Sequence, residues 1–247
     1  MMKLSYFIFA ALLTVASGVG SVSSAAAVSP QSAGAERFEV LSVKEVRPAL
    51  VNTVAALKKG DVAEAKTAFD AYDSAWNGIE VFINTRDKTM YSDLEQNYQA
   101  QIAKGLNSPN PDTTALLAQA QAMLAKYDEA IGMVENGTPL NPLYDDVARL
   151  RIVRANLREV TLALRAGDFA KARKSFAAFD DKWDSIEDIV KARSADSYAD
   201  IEKGMIQIEQ ALMPAKPDVD QVTALVKGVM DKYNAVVADV TKDARGH

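Results

Sequence analysis

The sequence predicts an all-α protein built from a four-helix up-down unit used twice, as tandem four-helix bundles or as one fused eight-helix array. Three observations predict it. Apolar residues recur at steps of three and four along every long segment, which places one stripe on a helix. The breaks between segments are Gly, Pro, Asn or Asp, and no segment shows the two-residue alternation of a strand. Finally, Asp73, Trp76, Ile79, Glu80, Arg86, Tyr91, Asp93 and Glu95 recur 107 positions later as Asp180, Trp183, Ile186, Glu187, Arg193, Tyr198, Asp200 and Glu202. Between residues 50–106 and 157–213, 17 of 57 ungapped positions are identical. The Pro-Asp pairs at 111–112 and 217–218, with Tyr127 and Tyr233, continue the match after one deletion. A repeat of this length and density reads as an internal duplication.

The elements follow in order. Residues 1–27 carry a basic start at Lys3, an apolar run over 4–15 and small residues at Ala25-Ala26-Ala27, the layout of a cleavable secretory signal peptide. The alternative is a membrane anchor, for which the run is short against the roughly 20 residues a span needs. Residues 28–40 are small and polar and are expected to form a disordered leader. The first repeat, 41–138, opens with a helix over 41–59, in which Pro48 sits near the start or makes a kink. Gly60-Asp61 offers a helix C-terminal glycine followed by an N-cap carboxylate. The second helix carries Val62, Ala65, Phe69, Tyr72, Trp76, Ile79 and Ile83 on one stripe. A turn at 87–90 leads to a third helix over 91–106. The loop 107–111 and the cap Asp112 introduce a fourth, which carries Leu116, Leu117, Ala120, Met123, Leu124, Tyr127 and Ile131.

The stretch 136–142, with Gly137, Pro139 and Pro142, separates the halves. In the second repeat, 143–243, a helix over 143–166 ends at Gly167-Asp168, the counterpart of Gly60-Asp61. The next stripe is Phe169, Ala172, Phe176, Phe179, Trp183, Ile186 and Val190. Helices over 198–213 and 218–242, parted by Pro214 and Pro217, complete the unit.

Composition excludes several classes. There is no cysteine, hence no disulfide, thiolate site or thiol nucleophile. The one histidine is His247, which excludes histidine-based triads and histidine-ligated haem, and argues against a Glu-x-x-His di-iron site. Glycine-rich phosphate loops are absent, so the chain is not expected to be an enzyme. Removing 1–27 removes Lys3 and takes the net charge from -5 to -6, which disfavours nucleic acid and suits cations or basic partners. No segment after the signal is apolar for long enough to span a bilayer, and a periplasmic location fits an exported, cysteine-free helical chain.

The two tryptophans lie on apolar stripes, where a bundle core is the simplest reading, the indole N–H finding an acceptor nearby. The glutamates are the sharper feature. Glu80 and Glu187 follow each Trp by four residues, and Glu95 and Glu202 follow Tyr91 and Tyr198 by four. A hairpin centred at 87–88 would set Glu80 level with Glu95, and one centred at 194–195 would set Glu187 level with Glu202. Paired carboxylates repel unless a cation, a shared proton or an arginine lies between them. Arg86 and Arg193 are the arginine candidates, unless the carboxylates point to solvent. A hard divalent or trivalent ion, such as iron, manganese or calcium, is the other solution, with Asp73, Asp93, Asp180 and Asp200 as supporting ligands.

The run Gly60-Asp61, Ala65, Ile79-Glu80 and Glu95, repeated as Gly167-Asp168, Ala172, Ile186-Glu187 and Glu202, resembles the imelysin-like family of periplasmic iron-uptake proteins and the periplasmic helical domain of bacterial iron permeases. The His-x-x-Glu motif of the imelysin-like family is missing. The resemblance implies a soluble periplasmic accessory in metal handling, partnered by a membrane permease or another envelope protein, with Glu80, Glu95, Glu187 and Glu202 as the transferable positions. The alternative from a different class is a metal-free helical interaction or sensor module.

Overall fold

A computed structural model describes residues 36–246. The signal sequence and residues 28–35 of the leader lie outside the described residues. Every described element is helical. In the first half, α1 (Phe38–Lys58), α2 (Val62–Asn84), the series α3 (Lys88–Ser92), a π-helical stretch (Asp93–Gln99) and α4 (Ala100–Leu106), and then α5 (Thr113–Asn136) run up and down as four columns. In the second, the columns are α6 (Leu143–Arg165), α7 (Phe169–Trp183) with α8 (Glu187–Arg193), α9 (Ala195–Leu212) and α10 (Val219–Gly246). Each half closes into a ring: α1 packs on α2 and α5, and α6 packs on α7 and α10. In addition α2 lies along α6, so the halves form one fused array rather than separate bundles.

Matched local chemistry makes matched corners. Gly60 and Gly167 have φ of +74° and +73°, the left-handed region that lets a helix end without a Cβ clash. The next residue then caps the following helix: Asp61 accepts from the Glu64 N–H and Asp168 from the Lys171 N–H, both at 2.9 Å. Inside each half a fully buried tyrosine reaches a backbone carbonyl of the first column. Tyr127 donates to Val43 at 2.7 Å and Tyr233 donates to Leu150 at 2.6 Å.

Several features differ from expectation. Helix α1 starts at Phe38, inside the stretch assigned to the leader, because Phe38 packs edge-on against Phe82 and Glu39 is buried between Arg37 and Arg86. Pro48 lies well inside α1, which continues through it. The third column of the first half contains the π stretch. The buried pairs Leu94 and Ile201 are 107 apart, whereas Ile102 and Ile208 are 106 apart. The first half therefore holds one extra residue between them, and widening the helix to the i→i+5 pattern absorbs it while keeping the apolar face inward.

The second column of the second half is interrupted instead. The chain turns at 184–186, where the Ile186 N–H bonds back to Trp183 at 2.9 Å. The corresponding part of α2 is unbroken, and there Gly78 lies against α6: a Cβ on Gly78 would sit 2.3 Å from Ile152 Cγ1 and 3.1 Å from its backbone nitrogen.

Candidate functional site

In the first half α2 presents Trp76 and Glu80 four residues apart, on one helix face. The Trp76 ring is 1% exposed and stacks on Tyr91, with centroids 6.1 Å apart and planes 7° from parallel. Its indole N–H donates to Glu95 Oε2, on the π stretch. Glu80 Oε1 accepts from Arg151 Nη1 of α6 at 3.0 Å. Burial pushes the Glu80 carboxyl up to about 7; Arg151 opposes this, and the Glu95 charge adds to it.

This has a sign. Glu80 titrates near 4.5 when unfolded and near 7 when folded, so its contribution to stability is complete below 4.5 and is lost as pH rises through 7. Glu80→Gln still accepts from Arg151 but cannot ionise. Thermal melts should show the wild type losing stability relative to Glu80→Gln between about pH 5 and about pH 8. Parallel pH dependences in the two proteins would refute it.

The second half repeats the tryptophan bond. Trp183, 3% exposed, stacks on Tyr198 at 6.2 Å and 16°, and its N–H donates to Glu202 Oε1. Glu187 begins α8 and accepts from the Tyr198 hydroxyl at 3.1 Å. The hydroxyl is held above its usual range, first by that bond and further by the Glu202 charge.

The side chains that bond across the hairpins are not the two glutamates. Glu95 bonds to Trp76, and Glu202 to Trp183, each four residues before the glutamate expected opposite. The first reversal falls at 85–87, where Asp87 caps α3 by accepting from Thr89 and Met90, earlier than the centre at 87–88. In the second half the reversal centres on Ser194, which caps α9, beside the expected centre at 194–195.

The arginines also differ from expectation. Arg86 pairs with buried Glu39 at 2.7 Å and donates to the Thr138 carbonyl, and Arg193 pairs with Asp243 of α10. Both are therefore drawn to the ends of the bundles and away from the hairpin glutamates. The arginine that does meet one, Arg151, comes from the other half of the chain.

Of the four aspartates, Asp73 accepts from the buried Gln99 amide, and Asp93 from Asn97 at 2.9 Å. Asp200 is exposed and pairs with Lys232 at 2.7 Å. Asp180 borders a small cavity of about 230 Å³ with Phe176 and Leu212. Among the described residues, no three Asp, Glu, His or Cys side chains come together in a way that could hold a metal ion.

A group that sequence reasoning passed over lies on α6. Arg151, Arg154 and Arg158 follow one another at spacings of three and four, on a single face. Arg154 Nη1 donates to Asn234 of α10 at 2.8 Å, and Arg158 Nη1 to Asn77 of α2 at 3.1 Å. Burial, with Arg151 and Arg158 beside it, holds the Arg154 guanidinium below its ordinary value. The spacing was readable as a basic face beside the apolar residues Leu150, Val153 and Leu157.

Compared with family models, curated proteins and solved structures, the chain matches none of them.

Proposed function

We propose that this chain is a non-enzymatic, metal-free helical binding module of the cell envelope, whose glutamates brace neighbouring helices against one another. The observation that carries this reading is that each glutamate already holds a donor from the chain itself. Glu95 and Glu202 accept tryptophan N–H bonds, Glu80 accepts from Arg151 and Glu187 from the Tyr198 hydroxyl. A carboxylate so engaged joins two columns and leaves fewer lone pairs for an ion. The envelope location rests on the export signal read in residues 1–27.

A second reading, uptake of a hard cation such as iron between the carboxylates, is favoured by one observation. Glu95 lies near enough to Glu80 to raise its pKa, and Glu187 and Glu202 both act on the Tyr198 hydroxyl.

Glu202→Ala separates the two. If Glu202 is a brace, the substitution leaves a buried indole N–H without an acceptor and costs about 1–3 kcal/mol. The loss should be the same with chelator or with added iron, manganese or calcium. A metal-dependent rise in the wild-type melting temperature that vanishes in Glu202→Ala would establish the cation reading in its place.

A further inference from the structure

Arg151 and Arg154 of α6 open onto the groove where the two halves meet. Two adjoining cavities of about 550 and 530 Å³ share Arg151 and Arg245 in their walls. The first lies toward α2 and includes Lys88; the second lies toward α10 and includes Arg154 and Lys242. Both volumes fall in the range of small-molecule sites. Five cationic side chains from α3, α6 and α10 thus converge in a protein whose net charge is -5.

Two acids of α10 near this groove are engaged elsewhere. Asp239 and Asp243 of α10 face Arg193, at 3.7 Å for Asp239. Glu80 meets Arg151 through one Nη, while Arg151 Nε is buried without a hydrogen-bond partner among the described residues. Arg154, Lys242, Arg245 and Lys88 have no carboxylate within ion-pair distance among the described residues. Arg151 and Arg154 are half-buried, whereas Lys88, Lys242 and Arg245 are exposed. Like charges gathered at one groove favour an anion between them, and planar guanidinium forks match carboxylate and phosphate oxygens.

We propose that this groove is a binding site for a small anion bearing two or more carboxylate or phosphate groups, held by Arg151, Arg154 and Arg245. The site deepens the binding-module reading by naming its ligand class, and it rests on that reading.

The test uses calorimetric titration of the chain without its signal segment, with pyrophosphate, citrate and inorganic phosphate at near-physiological salt. Pyrophosphate or citrate should bind with one site per chain. Arg154→Gln and Arg245→Gln should each weaken it at least tenfold. Arg154→Gln should melt no lower than the wild type in the absence of anion, since it relieves a like-charge contact and its amide can still reach Asn234. Saturable binding that both variants retain at wild-type strength would overturn the proposal, as would no binding of any of the three anions. Binding only to vesicles of phosphatidylglycerol would overturn it too, moving the chemistry to a membrane surface. These outcomes are independent of the metal response of Glu202→Ala, so the anion site and the metal-free reading fail separately.

Discussion

Trp76→Ala is expected to destabilise the protein by about 3–5 kcal/mol, as large aromatic-to-alanine changes in closed cores do. The ring is 1% exposed and lies among Tyr72, Tyr91 and Tyr127, with centroids 5.8, 6.1 and 6.4 Å away. Its removal opens a void among these buried rings and takes the donor from Glu95. The surrounding tyrosines cannot collapse into the space easily, because Tyr127 is tied by its hydroxyl to α1. Chemical denaturation of wild type and variant measures the loss. A change below about 1 kcal/mol, the level of an ordinary substitution, would mean that the ring is dispensable to packing.

Gly78→Leu is expected to cost about 3 kcal/mol or more, for the opposite reason. At this position a Cβ would meet not only Ile152 Cγ1 but also the Ile152 backbone nitrogen and Cα, at 3.1 and 3.3 Å. A side chain can rotate aside, but the α6 backbone can yield only if α2 and α6 separate. Gly78→Ala should show a smaller cost of the same sign, and Gly132→Ala, where a Cβ meets nothing within 4 Å, should show none. If Gly78→Leu left the melting temperature unchanged, close approach of α2 and α6 would not be what joins the halves.

How much of this was legible in the sequence depended on how local its cause is. Helix ends were readable because caps are set within four residues: Gly60-Asp61 and Gly167-Asp168 announced their corners, and the structure shows the same φ and the same N-cap bond at both. Core positions were readable because a 3.6-residue stripe is a one-dimensional signal. The π stretch was written more faintly, as the change of repeat spacing from 107 at Glu95 and Glu202 to 106 at Tyr127 and Tyr233. One residue too many in a helix must widen it or loop out, and the spacing does not say which. Partner choice was the least legible. Glu80 finds Arg151, which lies 71 residues away and in the other half, and only the contact of α2 with α6 brings them together. Reasoning within each hairpin favoured Arg86, six residues along, which turned instead to Glu39.

The α2–α6 seam has a consequence for cooperativity. Two four-helix units joined only by a linker would each melt on their own schedule. Here the seam buries Gly78 against Ile152, and it carries the Arg151–Glu80 pair and the Arg158–Asn77 bond. Unfolding either half would strip the other of a packed face and would leave Glu80 or Arg151 without its partner. The free energy of each half therefore contains a term owned by the other. Anything that grips α6 from the groove then biases both halves at once, so that an event in the second half is felt at the hairpin of the first.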